Sequence, residues 1–216
     1  SGDVMRDAMR DTGRISATEA IVRQVSGAGL RRVYTVPGDL AYRLIAAFEA
    51  AGIPVISCRT QTSAVFAAAA ENVATGRLAA ITLVTRGPAF ANALAAVSSV
   101  IDHGTPFLLL SPGDLDEETR RTAFQGGIPL RLSDARPCHW CEVHDPETLQ
   151  PSLGSAFAAA QQGAAVVTVD REVLGQTVPV SGAGHAGAVE RGPDAGTISR
   201  AVELLRAAKN PVIVVG

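Results

Sequence analysis

Aromatic residues and cysteines are scarce in this sequence, and neither sign of charge dominates. Phe, Trp and Tyr make up 4% of 216 residues, too few for the stacking platforms on which single-stranded nucleic acid is bound. Lys and Arg number 19 against 21 Asp and Glu, a formal net charge of −2, with no basic tract. The long-range attraction behind DNA or RNA binding is therefore missing. Three cysteines are a sparse, odd set for this length, the pattern of a reducing compartment rather than of a disulfide framework. No stretch approaches the ~20 apolar residues of a membrane-spanning helix. The charged opening SGDVMRDAMRDTGR has no apolar signal core. Together these absences predict a cytoplasmic protein with no membrane and no nucleic-acid partner. There is no G-x-x-x-x-G-K loop, and no predicted strand runs into a G-x-G-x-x-G turn, which sets aside a flavodoxin-like nucleotide binder.

What is present is apolar and periodic. Hydrophobic residues are 47% of the chain, and a chain of this length buries roughly 70% of its unfolded surface without a disulfide or metal staple. Residues 1–14 read as a flexible leader. Ser16 and Glu19 have capping-box spacing ahead of a helix carrying Ala20, Ile21 and Val25. RRVYTV (31–36), PVISC (54–58), LAAITLV (78–84), FLLLS (107–111) and AVVTVD (165–170) read as strands. Between them come helices from Asp39 to Gly52, over 61–75, 89–101 and 147–162, whereas 112–145 has no clear period. Continuous apolar strands alternating with helices predict an α/β fold, an open parallel sheet with helices on both faces. This domain is expected over 15–179. The Gly/Ala-rich stretch 180–196 has linker composition, and 197–216, one helix and the strand PVIVV (211–215), reads as the start of a truncated middle domain.

Four segments, in order, carry a resemblance: VYTVPGD (33–39), CRTQTSAVFAAAAENVATGR (58–77), VTRGPAFANALA (84–95) and AFQGG (123–127). They resemble the N-terminal, pyrimidine-binding domain of thiamine-diphosphate-dependent enzymes of the acetolactate synthase and benzoylformate decarboxylase type. The tail LLRAAKNPVIVVG (204–216) is similar to the start of that family's middle domain. Each segment alone is a common turn or helix pattern, and the joint order is what is specific. The resemblance implies decarboxylation or carboligation of a small 2-oxo acid. It implies that Val36, Pro37 and Gly38 lie along the cofactor's aminopyrimidine ring, and that Thr85, Gly87, Pro88 and Asn92, a Thr-x-Gly-Pro-x-x-x-Asn pattern, line the same pocket. Thr60, Phe124 and Gln125 fall on the substrate side. These turns follow the carboxyl ends of strands, where open α/β sheets bind ligands.

Two departures qualify that picture. The family's His-Glu pair is replaced here by Thr60-Gln61, in gapless register with Arg59, Phe66 and Thr75-Gly76. The family's glutamate hydrogen-bonds the ring and moves a proton during activation; a glutamine amide hydrogen-bonds but does not titrate. Gln61 is thus the expected catalytic position, and the alternative is a catalytically silent relative with an assembly or regulatory role. Second, the family holds the cofactor's diphosphate through a divalent cation bound by Gly-Asp-Gly and an asparagine on a C-terminal domain. No Gly-Asp-Gly and no Asn-Asn occurs here, so no metal site is expected in this chain. The implied cofactor is thiamine diphosphate, by its pyrimidine half only, with Mg²⁺ on an absent C-terminal domain. The implied partners are the protein's own missing domains or a separate subunit, and a second copy through the helix 61–75.

Other features have ordinary readings. Cys138-His139-Trp140-Cys141 with His144 offers three zinc ligands where a structural site takes four, and His103 is the only evident fourth; packing is the better reading. Glu71 reads as a solvated or rim carboxylate, and Asp114-Leu115-Asp116-Glu117-Glu118 as a solvated loop or helix start.

Overall fold

Short runs of aliphatic and β-branched residues form the strands, and capped alanine-rich runs form the helices between them. A computed structural model describes residues 13–114, 116–122, 138–180 and 194–213. Strands β1 to β8 are Arg14–Ser16, Arg32–Thr35, Val55–Ser57, Ala80–Leu83, Phe107–Gly113, His139–Val143, Ala164–Asp170 and Thr177–Pro179. Helices α1 to α8 are Ala17–Gly27, Tyr42–Ala50, Gln61–Thr75, Pro88–Asp102, Glu117–Thr122, Leu149–Ala160, Arg171–Leu174 and Ala195–Ala207. Ser16 caps α1 as its spacing predicts, its hydroxyl accepting from the Glu19 N–H at 3.1 Å. Thr60 caps α3 in the same way, accepting from the Ser63 N–H at 3.1 Å. Gly76, left-handed at φ 65°, ends that helix.

Six strands pair in the order β3-β2-β4-β5-β7-β6, all parallel. Period-2 alternation along β5 sends Leu108 and Leu110 into one core and Phe107 and Leu109 into the other. The first core is closed by α1, α2 and α6, through Ile21, Phe48 and Leu153. The second is closed by α3 and α4, through Val65, Ala68, Phe90 and Val97. The fold is therefore the expected α/β class, an open parallel sheet with helices on both faces. Because α2 leaves β2 toward the first face and α4 leaves β4 toward the second, the turns after these adjacent strands diverge. Such a point opens a crevice at the carboxyl edge.

Four elements differ from the sequence reading. β6 lies within a stretch expected to lack periodicity; it is an edge strand whose first four residues are only half-buried, so its sequence HWCEV carries no clean alternation. β1 and β8, three residues each, form an antiparallel pair too short for any periodic signal. Residues 211–213, expected to open a strand, have no regular structure, and no residue of α8 is buried.

Candidate functional site

The site is built by the turns after β2, β3 and β4. The Thr35 hydroxyl donates to the Leu83 carbonyl at 2.7 Å and the Cys58 N–H to the Thr35 carbonyl at 2.7 Å, locking the three strand ends in register. Val36, Pro37 and Gly38 follow β2, and Gly38 abuts the turn after β4. A Cβ built on Gly38 would lie 2.7 Å from Thr85 Cγ2 and 2.9 Å from its Oγ1. Thr85 is buried, and Gly87 holds φ 64°, ψ −128° ahead of Pro88, the first residue of α4. That positive φ favours glycine, and proline suits the first helical position because the N–H it lacks has no partner there.

The close approach at Gly38 predicts a measurable penalty. Gly38→Ala should destabilise the chain by about 1–3 kcal/mol through overpacking against a stiff β-branched neighbour. Thr85 Cβ lies 3.4 Å from the added methyl, so Thr85→Ala in the same chain relieves the clash. In denaturant titrations the double variant should lose less than the two single losses summed.

α3 and α4 meet where they begin. The Thr62 hydroxyl donates to the Asn92 carbonyl at 3.1 Å, which brings the start of α3, where Gln61 is the first residue, against α4 at Asn92. The side-chain amides of Gln61 and Asn92 make no hydrogen bond among the described residues; Gln61 is half-buried and Asn92 exposed. The Thr60 hydroxyl is shared between the Ser63 N–H and, at 2.8 Å, the Ser63 hydroxyl. The expected residues Val36, Pro37, Gly38, Gln61, Thr85, Gly87, Pro88 and Asn92 thus lie on turns and helix starts at one edge of the sheet. Phe124 and Gln125 lie outside the described residues.

Beside these turns sits a charge cluster with no sequence signal, because its members are far apart in the chain. Arg86 pairs with Asp114 at the end of β5, and its Nη2 lies 3.7 Å from Asp39 in the turn after β2. Arg171 binds the same Asp114 at 2.8 Å. Asp114 was expected in a solvated loop; its side chain is only 2% exposed, because the parallel pairing of β5 with β7 carries it under Arg171. Burial pushes its carboxyl up from the usual range, Arg86 draws it back down, and Asp170, Asp39 and Glu172 push it up further. Asp114 and Arg171 also line a cavity of about 390 Å³, together with Asp116, His144, Asp170 and Glu172. Glu71, expected as a solvated or rim carboxylate, is 14% exposed; it pairs with Arg32 at 2.9 Å and accepts from the Tyr34 hydroxyl at 3.0 Å.

Among the described residues, no group of three or more His, Cys, Asp or Glu is arranged to hold a metal. Cys138 packs with Trp140 against the second core while Cys141 packs against the first, so the two thiols leave opposite faces of the sheet. Burial pushes both up to about 11. His144 lies 3.5 Å from Glu142 and His103 3.2 Å or less from its own helix, its Nδ1 being 2.7 Å from the Ser99 carbonyl. Among the described residues no helix is long and apolar enough to cross a membrane.

The edge combines several features that a small polar ligand could use. Tight glycine turns let a ring approach the backbone, Pro37 and Pro88 offer apolar surface, and two unengaged amides offer donors and acceptors. Comparison with known proteins bears on the family of the chain. The sequence matches the family described as "Thiamine pyrophosphate enzyme, N-terminal TPP binding domain" over residues 15–131. Catabolic acetolactate synthase of Raoultella terrigena is 27% identical over 206 residues, 92% of this chain and 36% of that protein. 2-Hydroxyacyl-CoA lyase 2 of Homo sapiens is 34% identical over 137 residues, 62% of this chain and 21% of that protein. The crystal structure of benzoylformate decarboxylase from Polynucleobacter necessarius shares the fold at a TM-score of 0.77 and 16% identity, covering 91% of this chain and 38% of that one. The chain spans less than two fifths of the length of each of these relatives.

Proposed function

Because the chain belongs to the family of thiamine pyrophosphate enzyme N-terminal domains, we propose that it supplies the pyrimidine side of a thiamine-diphosphate site. The reaction is decarboxylation or carboligation of a small 2-oxo acid. The observation that supports this most is the meeting of the turns after β2 and β4, where Gly38 packs on Thr85, with the amides of Gln61 and Asn92 unengaged beside them. Val36, Pro37 and Gly38 bound one side of the ring, and Thr85, Gly87, Pro88 and Asn92 the other. Gln61 stands where the family's activating glutamate stands and hydrogen-bonds the ring, but it holds no titrating proton. Thr60, Phe124 and Gln125 face the substrate. Bound there, the cofactor supplies the electron sink that carbon–carbon bond chemistry at a 2-oxo acid requires.

The diphosphate and its Mg²⁺ belong to a C-terminal domain outside this sequence, as part of the same protein or a separate subunit. The pyrimidine-binding unit is residues 15–179, followed by a linker over 180–196 and the opening of a middle domain over 197–216; the wholly exposed α8 is consistent with packing against a body further along. A second copy docks on α3, where Phe66 and Val73 are 46% and 64% exposed on one face while Ala68 and Ala69 face the core.

The experiment is calorimetric titration of thiamine diphosphate with Mg²⁺ into this chain assembled with the diphosphate-binding domain. Saturable binding is expected. Absence of heat at millimolar cofactor, with the protein folded, would falsify the proposal. Binding without turnover of any 2-oxo acid would instead favour the second reading, a silent relative kept for assembly or regulation, for which Gln61 is the motivating residue.

A further inference from the structure

The Thr85–Pro88 turn has little rigidity of its own. Gly87 sits at φ 64°, ψ −128°, and a glycine backbone explores many such states unless something outside the turn holds it. The Ala91 N–H bonds the Gly87 carbonyl at 3.0 Å, and what ties the turn to neighbouring strand ends by charge is the side chain of Arg86. Its guanidinium pairs with Asp114 at the end of β5 and approaches Asp39 in the turn after β2 at 3.7 Å. Asp114 is in turn held at 2.8 Å by Arg171, the first residue after β7. One basic side chain therefore ties together the carboxyl ends of β2, β4 and β5, and its carboxylate partner extends the tie to β7. The backbone is pinned from both sides as well. Gly38 packs on the Thr85 side chain, and a Cβ built on Gly113 would lie 3.4 Å from Arg86 Cβ.

Arg86 is 12% exposed and Asp114 2%. A pair buried to that degree contributes little net stability, yet breaking it leaves an uncompensated charge inside the protein. Its consequence is one arrangement of the turn rather than a deeper energy well. We propose that Arg86 is a positioning residue: held by Asp114, it fixes the turn Thr85–Pro88 against Gly38 and thereby sets the affinity for the aminopyrimidine end of thiamine diphosphate. This rests on the pocket reading above and adds to it the residue that shapes the pocket without touching the ring.

A double-mutant cycle on cofactor affinity tests the idea. Thiamine diphosphate with Mg²⁺ is titrated into the assembled protein carrying wild-type sequence, Arg86→Ala, Asp114→Asn or both, at a temperature where circular dichroism shows every variant folded. Each single substitution is expected to weaken binding by about 10- to 100-fold, as small misplacements of a positioning group do. The double variant should bind no more weakly than the worse single, since both remove one tie. Arg86→Lys, which keeps the charge without the planar fork, should recover part of the loss and provides the folded comparison if Arg86→Ala does not fold. A purely structural role predicts lowered melting temperatures with unchanged affinity in the folded variants, and that result overturns the inference. Wild-type protein that fails to bind overturns the pocket reading itself, and the positioning role with it; wild-type binding with unaffected variants overturns the positioning role alone.

Discussion

Replacing Gln61 with glutamate is expected to raise cofactor-dependent turnover of a 2-oxo acid by about 10²–10⁴-fold, the range typical of a general acid–base group. The backbone at this position is already held. Gln61 is the first residue of α3, its backbone fixed by the Thr60 cap and by the Thr62–Asn92 bond. Glutamate has the same length and shape, so the substitution keeps the reach of the side chain and changes its charge, its donors and its ability to titrate. A carboxyl at a helix start is also favoured by the helix dipole, so the variant should fold normally. The measurement is kcat and KM for the assembled protein with and without the substitution. A rise in kcat at nearly constant KM marks a proton-moving group restored to a site that otherwise binds. A fall in turnover means that the native chemistry depends on an amide at this position, and Gln61 is then a tuned residue rather than a lost acid.

The second large effect concerns the fold. Asn72→Leu should destabilise the chain by about 3–5 kcal/mol, at the upper end for a single substitution. Asn72 is fully buried, and its amide is fully engaged. Nδ2 donates to the carbonyls of Ala80 at 3.0 Å and Pro106 at 2.8 Å, and Oδ1 accepts from the N–H groups of Ala79 and Ala80 at 2.8 Å each. One side chain thus ties the end of α3 to the start of β4 and to the approach of β5. Leucine has similar volume but leaves four buried backbone groups without that partner. For a domain of this size the melting temperature should fall by about 6–20 °C, whereas Glu49→Ala on the exposed side of α2 should change stability by less than about 0.5 kcal/mol. A loss below about 1 kcal/mol for Asn72→Leu would show that water or a shifted backbone satisfies those groups.

Much of the architecture is readable without coordinates, for local reasons. The aliphatic strands, the Ser16–Glu19 spacing and the Gly76 stop each encode an element within a few residues, and the parallel sheet follows from continuous apolar strands alternating with helices. β6 was not readable because an edge strand with half-buried residues loses its alternation, and β1 and β8 because three-residue pairs have none. The site divides in the same way. The turns that carry Pro37, Gly38, Thr85 and Pro88 are visible as Pro-Gly and Gly-Pro punctuation. The bonds that hold those turns are not.

Local residue order dictates the short-range choices: which residues become strands, which cap helices, and which turns end at the carboxyl edge of a sheet. The burial of Asp114 under two arginines, the joining of Glu71 to Arg32 and Tyr34, and the contact of the α3 start with Asn92 come from the assembled fold. The reason is that parallel pairing and crossover helices bring together residues dozens of positions apart, and the burial and electrostatic partners of a charge depend on that assembly rather than on its neighbours in the chain.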